Sequence, residues 1–347
     1  MALWLVRAGK YGEHELRFFQ DNRVYLTWER FTETDLSTAK DYDGIKGLMQ
    51  DQYPGEPARR IGNWSGQVWA FVLAMKPGDW VVVPRKSNGS IAVGEVKSAY
   101  TFELSADAMY RHHRAVQWVN TDVPRSAFDQ DLLYSFGAIM TVCEIKRNDA
   151  EKRIRAMAKK GWQLSPPAPA AVGLNVPNGT DGAEEVEVDL EQLARDAIAK
   201  VIIQKFKGHG MARLVEAVLK AQGFTTYLSP EGPDKGIDIL AAGGAFGFDR
   251  PRICVQVKSG DTPADRPEFT QLIGAMQNVG ADQGLFVSWS GFKPTVTKEV
   301  PGQFFKVRVW NQDDLIEQLL DNYDKLDPDI RAELPLKRIW TLSSAED

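Results

Sequence analysis

Gly236-Ile-Asp-Ile239 is followed, eighteen positions after Asp238, by Gln256 in the segment Val255-Gln-Val-Lys258. These two segments decide how the second half of the chain folds. Both are short, rich in β-branched residues and alternate with a period of two, the mark of a strand. Asp238 sits between Ile237 and Ile239. On the following strand Gln256 and Lys258 share one face, and Val255 and Val257 the other. A hairpin joining the two strands brings a carboxylate, an amide oxygen and an ammonium to one end of a sheet.

Outward from this pair, helix and strand alternate. Residues 188–206 and 211–222 have helical period, and Gly223 stops the second run. Strands are expected at 225–228, 236–241, 253–258, 284–288 and 305–309, with helices at 267–278 and 313–323. That order predicts an α/β fold with a mixed central sheet. Hard oxygen ligands at the splayed end of such a sheet suit Mg2+, with Mn2+ as the alternative. A neighbouring lysine positions water or offsets charge developing on a phosphate. Glu216 lies beside the apolar stripe Met211, Leu214, Val215, Val218 and Leu219 of the preceding helix. It would complete a metal site made of Asp238, Gln256 and Glu216. The plain alternative is an Asp238–Lys258 cross-strand ion pair with Glu216 a solvated helix residue. Asp234 reads as a turn residue ahead of Gly236. His209, in Gly208-His-Gly210, reads either as a local cap or as a phosphate contact.

The first half is β-rich. Strands are expected at 3–8, 24–28, 79–84, 90–96, 114–119 and 139–145. Lys76-Pro-Gly-Asp79 is a turn, and Ser87-Asn-Gly89 closes a hairpin. Helices are expected at 66–75 and 149–160, so this half predicts a small β-barrel with flanking helices. Between the halves, residues 163–189 hold four prolines and no basic residue, the composition of an extended linker. An acidic mimic that covers a basic groove is the other reading of this segment. The expected division is 1–162, a linker at 163–190, and 191–347.

A chain of 347 residues accommodates two such domains, and its 43% hydrophobic content is enough for two cores. The net charge of −5 is uneven: +3 over 1–162, −6 over 163–191 and −2 over the remainder. Basic patches therefore remain available to nucleic acid in spite of the acidic total. No apolar run is long enough for a membrane span. Cys143 and Cys254 build no disulfide framework, which fits a reducing cytoplasm. They share no ligand spacing with His14, His112 or His113, so no zinc site is expected. No GxxxxGK[ST] loop occurs, so no nucleoside triphosphate is expected as a partner.

Residues 208–310 resemble the catalytic domain of Mrr-type restriction endonucleases, within the PD-(D/E)XK nuclease superfamily. The resemblance rests on Leu214-Val215, Gly223-Phe224, Pro233-Asp-Lys-Gly-Ile-Asp-Ile239, Val255-Gln-Val-Lys258 and Gly284-Leu-Phe-Val-Ser288. It implies Asp238 and Lys258 as catalytic residues, Gln256 in place of the usual second carboxylate, and a divalent metal. The family's helix glutamate falls on Ala212, with Glu216 one turn later.

Residues 3–119 resemble the EVE branch of the PUA-like barrels through Trp4-Leu-Val-Arg-Ala8, Asn63-Trp64, Lys76-Pro-Gly-Asp-Trp80 and Ile91-Ala-Val-Gly-Glu-Val96. That resemblance implies a pocket for a flipped, modified base, at Trp28, Asn63, Trp64 and Ser65. Aromatic faces there would restore the stacking that a flipped base loses. Arg59, Arg60, Arg111 and Arg114 are the candidate contacts to the DNA backbone, alongside the basic helix at 149–160.

Together the two resemblances imply a modification-dependent, type IV restriction endonuclease of phage defence. It would act on double-stranded DNA carrying a modified base, as a homodimer if both strands are to be cut. The alternatives are a structure-specific or repair nuclease, and a catalytically weak module that only binds modified DNA.

Overall fold

A computed structural model describes residues 1–162, 189–232 and 236–339. The expected linker at 163–190 lies outside the described residues except for Asp189 and Leu190, and Asp234 lies outside them too. The chain divides into two compact units, Met1–Asp196 and Ala197–Asp347.

The first unit is built on seven strands: β1 (Leu3–Val6), β2 (Arg23–Tyr25), β3 (Trp80–Pro84), β4 (Ser90–Val96), β5 (Thr101–Phe102), β6 (His112–Pro124) and β7 (Val142–Glu144). Their order is β2-β6-β4-β3-β1-β7, with β5 attached to β6. All pairs are antiparallel except β1 with β3. The closed barrel expected from the sequence is not seen. Among the described residues no pairing joins β2 to β7, and the result is a sheet bent by two register shifts between β4 and β6.

Both faces of that sheet are buried, and strand alternation sorts the side chains between them. Trp4, Val6, Val81 and Val83 pack with Ile45, Met49, Ile61 and Val68 from the helices Tyr42–Gln52 and Ala58–Trp69. Leu3, Leu5, Trp80 and Val82 pack with Leu132, Leu133 and Phe136 of the helix Gln130–Phe136, and with Ile154 of the helix Ala150–Lys159. Asp79, at the Pro-Gly-Asp turn, ties the layers together. Its carboxylate accepts from Ala2 N at 2.8 Å, Trp4 Nε1 at 3.0 Å and Lys76 N at 3.0 Å. Burial raises its pKa, but these donors outweigh burial and the net shift is downward. Gly94 is also explained: a Cβ there would stand 2.4 Å from Val116 Cγ1 across the bulged ladder.

The second unit has five strands: β8 (Thr225–Leu228), β9 (Ile239–Gly243), β10 (Asp249–Lys258), β11 (Gln283–Ser288) and β12 (Val307–Trp310). Their order is β12-β11-β10-β9-β8. β8, β9 and β10 are antiparallel, while β10, β11 and β12 are parallel, so the sheet is mixed as expected. One face buries Val255, Ile239, Leu285 and Val287 against the helices His209–Ala221 and Gln312–Asn322. The other buries Cys254 and Phe286 against Phe269, Leu272 and Met276 of the helix Arg266–Val279. That helix is the crossover that makes β10 and β11 parallel. A capping box at Asp265 and Glu268 starts it, and Gly280 in the left-handed conformation ends it.

Candidate active site and aromatic cluster

In the second unit the hairpin places the catalytic candidates as the alternation requires. Ile239 pairs with Val255, which sets Asp238 beside Gln256 where β9 peels off the ladder. Asp238 N still donates to Val255 O at 3.0 Å. Its Oδ2 accepts from Val257 N at 2.7 Å, so the carboxylate replaces a backbone carbonyl as the partner of β10. This bond fixes the side chain at the strand end. The Cys254 thiol beneath it is pushed up to about 11, first by burial and then by the Asp238 charge.

Gln256 is 1% exposed, and its buried Oε1 has no hydrogen-bond partner among the described residues. Such an orphan acceptor costs about 1–3 kcal/mol unless something electropositive meets it. Lys258 lies two residues on, on the same face, half-buried, with no carboxylate partner among the described residues. The expected alternative, an Asp238–Lys258 ion pair, does not form there. The helix His209–Ala221 begins at the same end of the sheet, where Gly208 N donates to Ser259 Oγ at 2.8 Å, next to Lys258. That puts the positive end of a helix dipole beside the candidate site.

The donor set fits a divalent cation: a carboxylate held by a backbone N–H and an amide oxygen lacking any donor. Glu216 is not brought to it. Its Oε1 accepts from Thr226 Oγ1 at 2.8 Å and pairs with Lys220 at 3.1 Å. Thr226 pairs with Ala241, three residues along β9 from Asp238 and hence roughly 10 Å away. Its helical position turns Glu216 toward the edge strand β8, and Ala212, where the resemblance places the family's glutamate, is buried. Among the described residues no cluster of three or more His, Cys, Asp or Glu could hold a metal.

In the first unit Trp28 and Trp64 do meet, edge to face, with ring centroids 6.2 Å apart. Tyr53, unremarked in the sequence, completes the cluster 4.9 Å from Trp64. Arg30 lies over Tyr53 at 4.6 Å, and Arg60 over Trp64 at 5.7 Å while paired with Glu56. Arg59 is exposed on the same turn. The signal for Tyr53 was missing because it sits at a helix C-cap, outside any periodic pattern.

The other pocket and backbone candidates need correction. Ser65 is fully buried and donates to Ile61 O at 2.6 Å within its own helix, so it lines no surface. Asn63 accepts from Gln67 Nε2 at 2.7 Å, and Gln67 in turn holds Thr141 N of the edge leading into β7. Arg114 is 2% exposed. Its guanidinium donates to Phe71 O, Val72 O and Ser98 O, so it is turned into the protein and away from any phosphate. Arg111 spends its fork on Ala106 O, Thr32 O and Glu33. The "basic run" 111–114 thus holds the end of a helix and two loops in place.

Comparison with known proteins adds the class. Residues 203–319 match the family model of the Mrr catalytic domain, described as a restriction endonuclease. The second unit therefore carries a restriction-endonuclease domain. Residues 4–145 match a second family model, described only as a domain of unknown function, so the EVE-type assignment of the first unit is not shown. No curated protein matches the chain. Among solved structures, the DNA modification-dependent restriction endonuclease AspBHI is similar at 15% identity, covering 82% of this chain and 76% of its own, with a TM-score of 0.33. The MspJI restriction endonuclease in complex with a 27-mer oligonucleotide is similar at 13% identity, covering 97% and 80%, with a TM-score of 0.31.

Proposed function

We propose that the chain is a modification-dependent restriction endonuclease whose second unit hydrolyses DNA phosphodiesters and whose first unit reads a modified base. The observation that carries the nuclease half is the orphan Oε1 of Gln256. It shares a strand face with Lys258, which has no carboxylate partner among the described residues, lies beside Asp238, and sits inside the segment that matches the restriction-endonuclease model.

Asp238 and Gln256 would hold the divalent ion, Mg2+ or Mn2+. When bound, the ion supplies Lewis-acid charge at the phosphate. Asp238 is oriented for this by the Val257 N–H. Lys258 holds the attacking water or neutralises the charge that gathers on the phosphate. For the first unit the support is the Trp28–Tyr53–Trp64 cluster with Arg30 and Arg60 at its rim, a stacking surface flanked by cations. Double-stranded DNA is the partner, two copies cut the two strands, and phage defence is the role.

The test is incubation of the full chain with phage genomes that differ in base modification, with and without Mg2+. Cleavage is expected on some modified genomes and only with metal. Asp238→Ala should abolish cutting while DNA binding survives. Wild-type cutting by purified Asp238→Ala protein would refute the assignment.

A further inference from the structure

Gly236, two residues before Asp238, has φ +83°, a conformation that leaves its Cα bare toward the helix Arg266–Val279. A Cβ built there would lie 2.8 Å from Gln271 Nε2 and 3.2 Å from Gln271 Cδ. The same point is 3.4 Å from Gln256 Nε2. Two amide head groups, one from a helix and one from a strand, therefore lie side by side over one glycine. Gln256 is the buried member, with its Nε2 turned toward Gly236 and its Oε1 left unpartnered. Gln271 is the exposed member.

The helix does not need Gln271 for its own packing, since Phe269, Leu272 and Met276 supply the buried stripe. Nor does the amide satisfy a neighbour, for among the described residues Gln271 has no side-chain hydrogen-bond partner. It is an exposed polar head whose Nε2 rests closest to Gly236, beside Gln256 and two residues in sequence from Asp238. A carboxylate here would add a negative charge where a polyanion must approach. A neutral amide offers two N–H donors instead.

We infer that Gln271 is a substrate-contact residue: its Nε2 donates to a non-bridging phosphate oxygen of the strand lying across the site. It is not a ligand of the metal. This rests on the proposed nuclease reading, and it predicts a pattern that a structural residue would not produce. In steady-state cleavage by the full chain, Gln271→Ala raises KM about tenfold, the worth of one charge-assisted hydrogen bond, with a smaller effect on kcat. Gln271→Glu raises KM further, because it sets a negative charge against the phosphate. Neither variant moves the Mg2+ concentration for half-maximal rate. Unchanged KM in both variants, or a lower Mg2+ midpoint in Gln271→Glu, overturns the inference.

A binding measurement separates this from failure of the nuclease reading. Anisotropy of a fluorescent duplex is compared for Asp238→Ala and for Asp238→Ala with Gln271→Glu. A Kd at least about fivefold weaker in the double variant supports the contact even if wild-type protein cuts no DNA in the panel. Equal Kd values refute it even if wild-type protein does cut.

Discussion

At the scale of single residues, the same residue type does opposite work depending on what surrounds it. Arg60 is exposed, lies over an aromatic ring and pairs with the surface carboxylate of Glu56. Arg114 is buried against Phe71, its charge matched only by carbonyl oxygens, and burial lowers its pKa to about 10. Two of those carbonyls, Phe71 O and Val72 O, belong to the turn after the helix Ala58–Trp69, so Arg114 caps a helix end from another element. Arg114→Ala should therefore cost about 3 kcal/mol of stability, since it strands two buried acceptors and one half-buried one. Chemical denaturation of the full chain reads this directly. A stable variant with weakened DNA binding would instead restore the backbone-contact role expected from the sequence.

At the scale of elements, β6 shows how burial changes titration. His112 and His113 both lie on it and both are nearly inaccessible. His112 bridges Phe31 O and Tyr100 Oη, each at 2.7 Å, and His113 bonds Glu103 at 3.1 Å. Burial is the main cause that holds both pKa values below the ordinary value of about 6.5, outweighing these acceptors. The sign follows. As pH falls, the unfolded chain takes up the protons first. The stability of the neutral rings is therefore complete above about pH 6.5 and is lost as pH drops toward the folded values. Thermal melting of the full chain between pH 7.5 and 5 should show a falling midpoint. A midpoint that rises over that interval would contradict the burial of these rings.

At the scale of the whole molecule, the chain has two units with separate cores, and the proposed function assigns a task to each. In the first unit the buried pair Arg125–Asp196, bidentate at 2.6 Å, holds the start of the helix Leu190–Phe206. The compact first unit thus runs into that helix, to Asp196. The proposed division of labour makes a prediction at this scale. Trp64→Ala should remove the preference for modified over unmodified DNA, through loss of one stacking face worth about 1–3 kcal/mol. It should leave salt-sensitive, nonspecific binding and metal-dependent cutting of saturating DNA unchanged. Equal discrimination by variant and wild type would place the reading surface elsewhere.

Much of the second unit was legible along the chain. Its strands are short and apolar with a clean period of two, and Asp238, Gln256 and Lys258 sit where a pleated hairpin must bring them. Gly236 was expected inside the strand, but its positive φ starts β9 only at Ile239. The first unit was less legible. The helix Tyr42–Gln52 contains Gly44 and Gly47, poor helix formers that hide it from propensity, and it is held by burying Ile45 and Met49. The helix Ala58–Trp69 opens on Ala-Arg-Arg, which looks solvated because only one of its faces is buried.

The sequence by itself determined the pairing of β9 with β10 and the residue types at the end of that hairpin, because alternation and residue type are local properties. Which arginines face solvent, where Glu216 turns, and that Gln271 rests on Gly236 were decided by the tertiary structure alone. Those outcomes depend on neighbours far apart in sequence, and a single chain pattern does not encode distance between them.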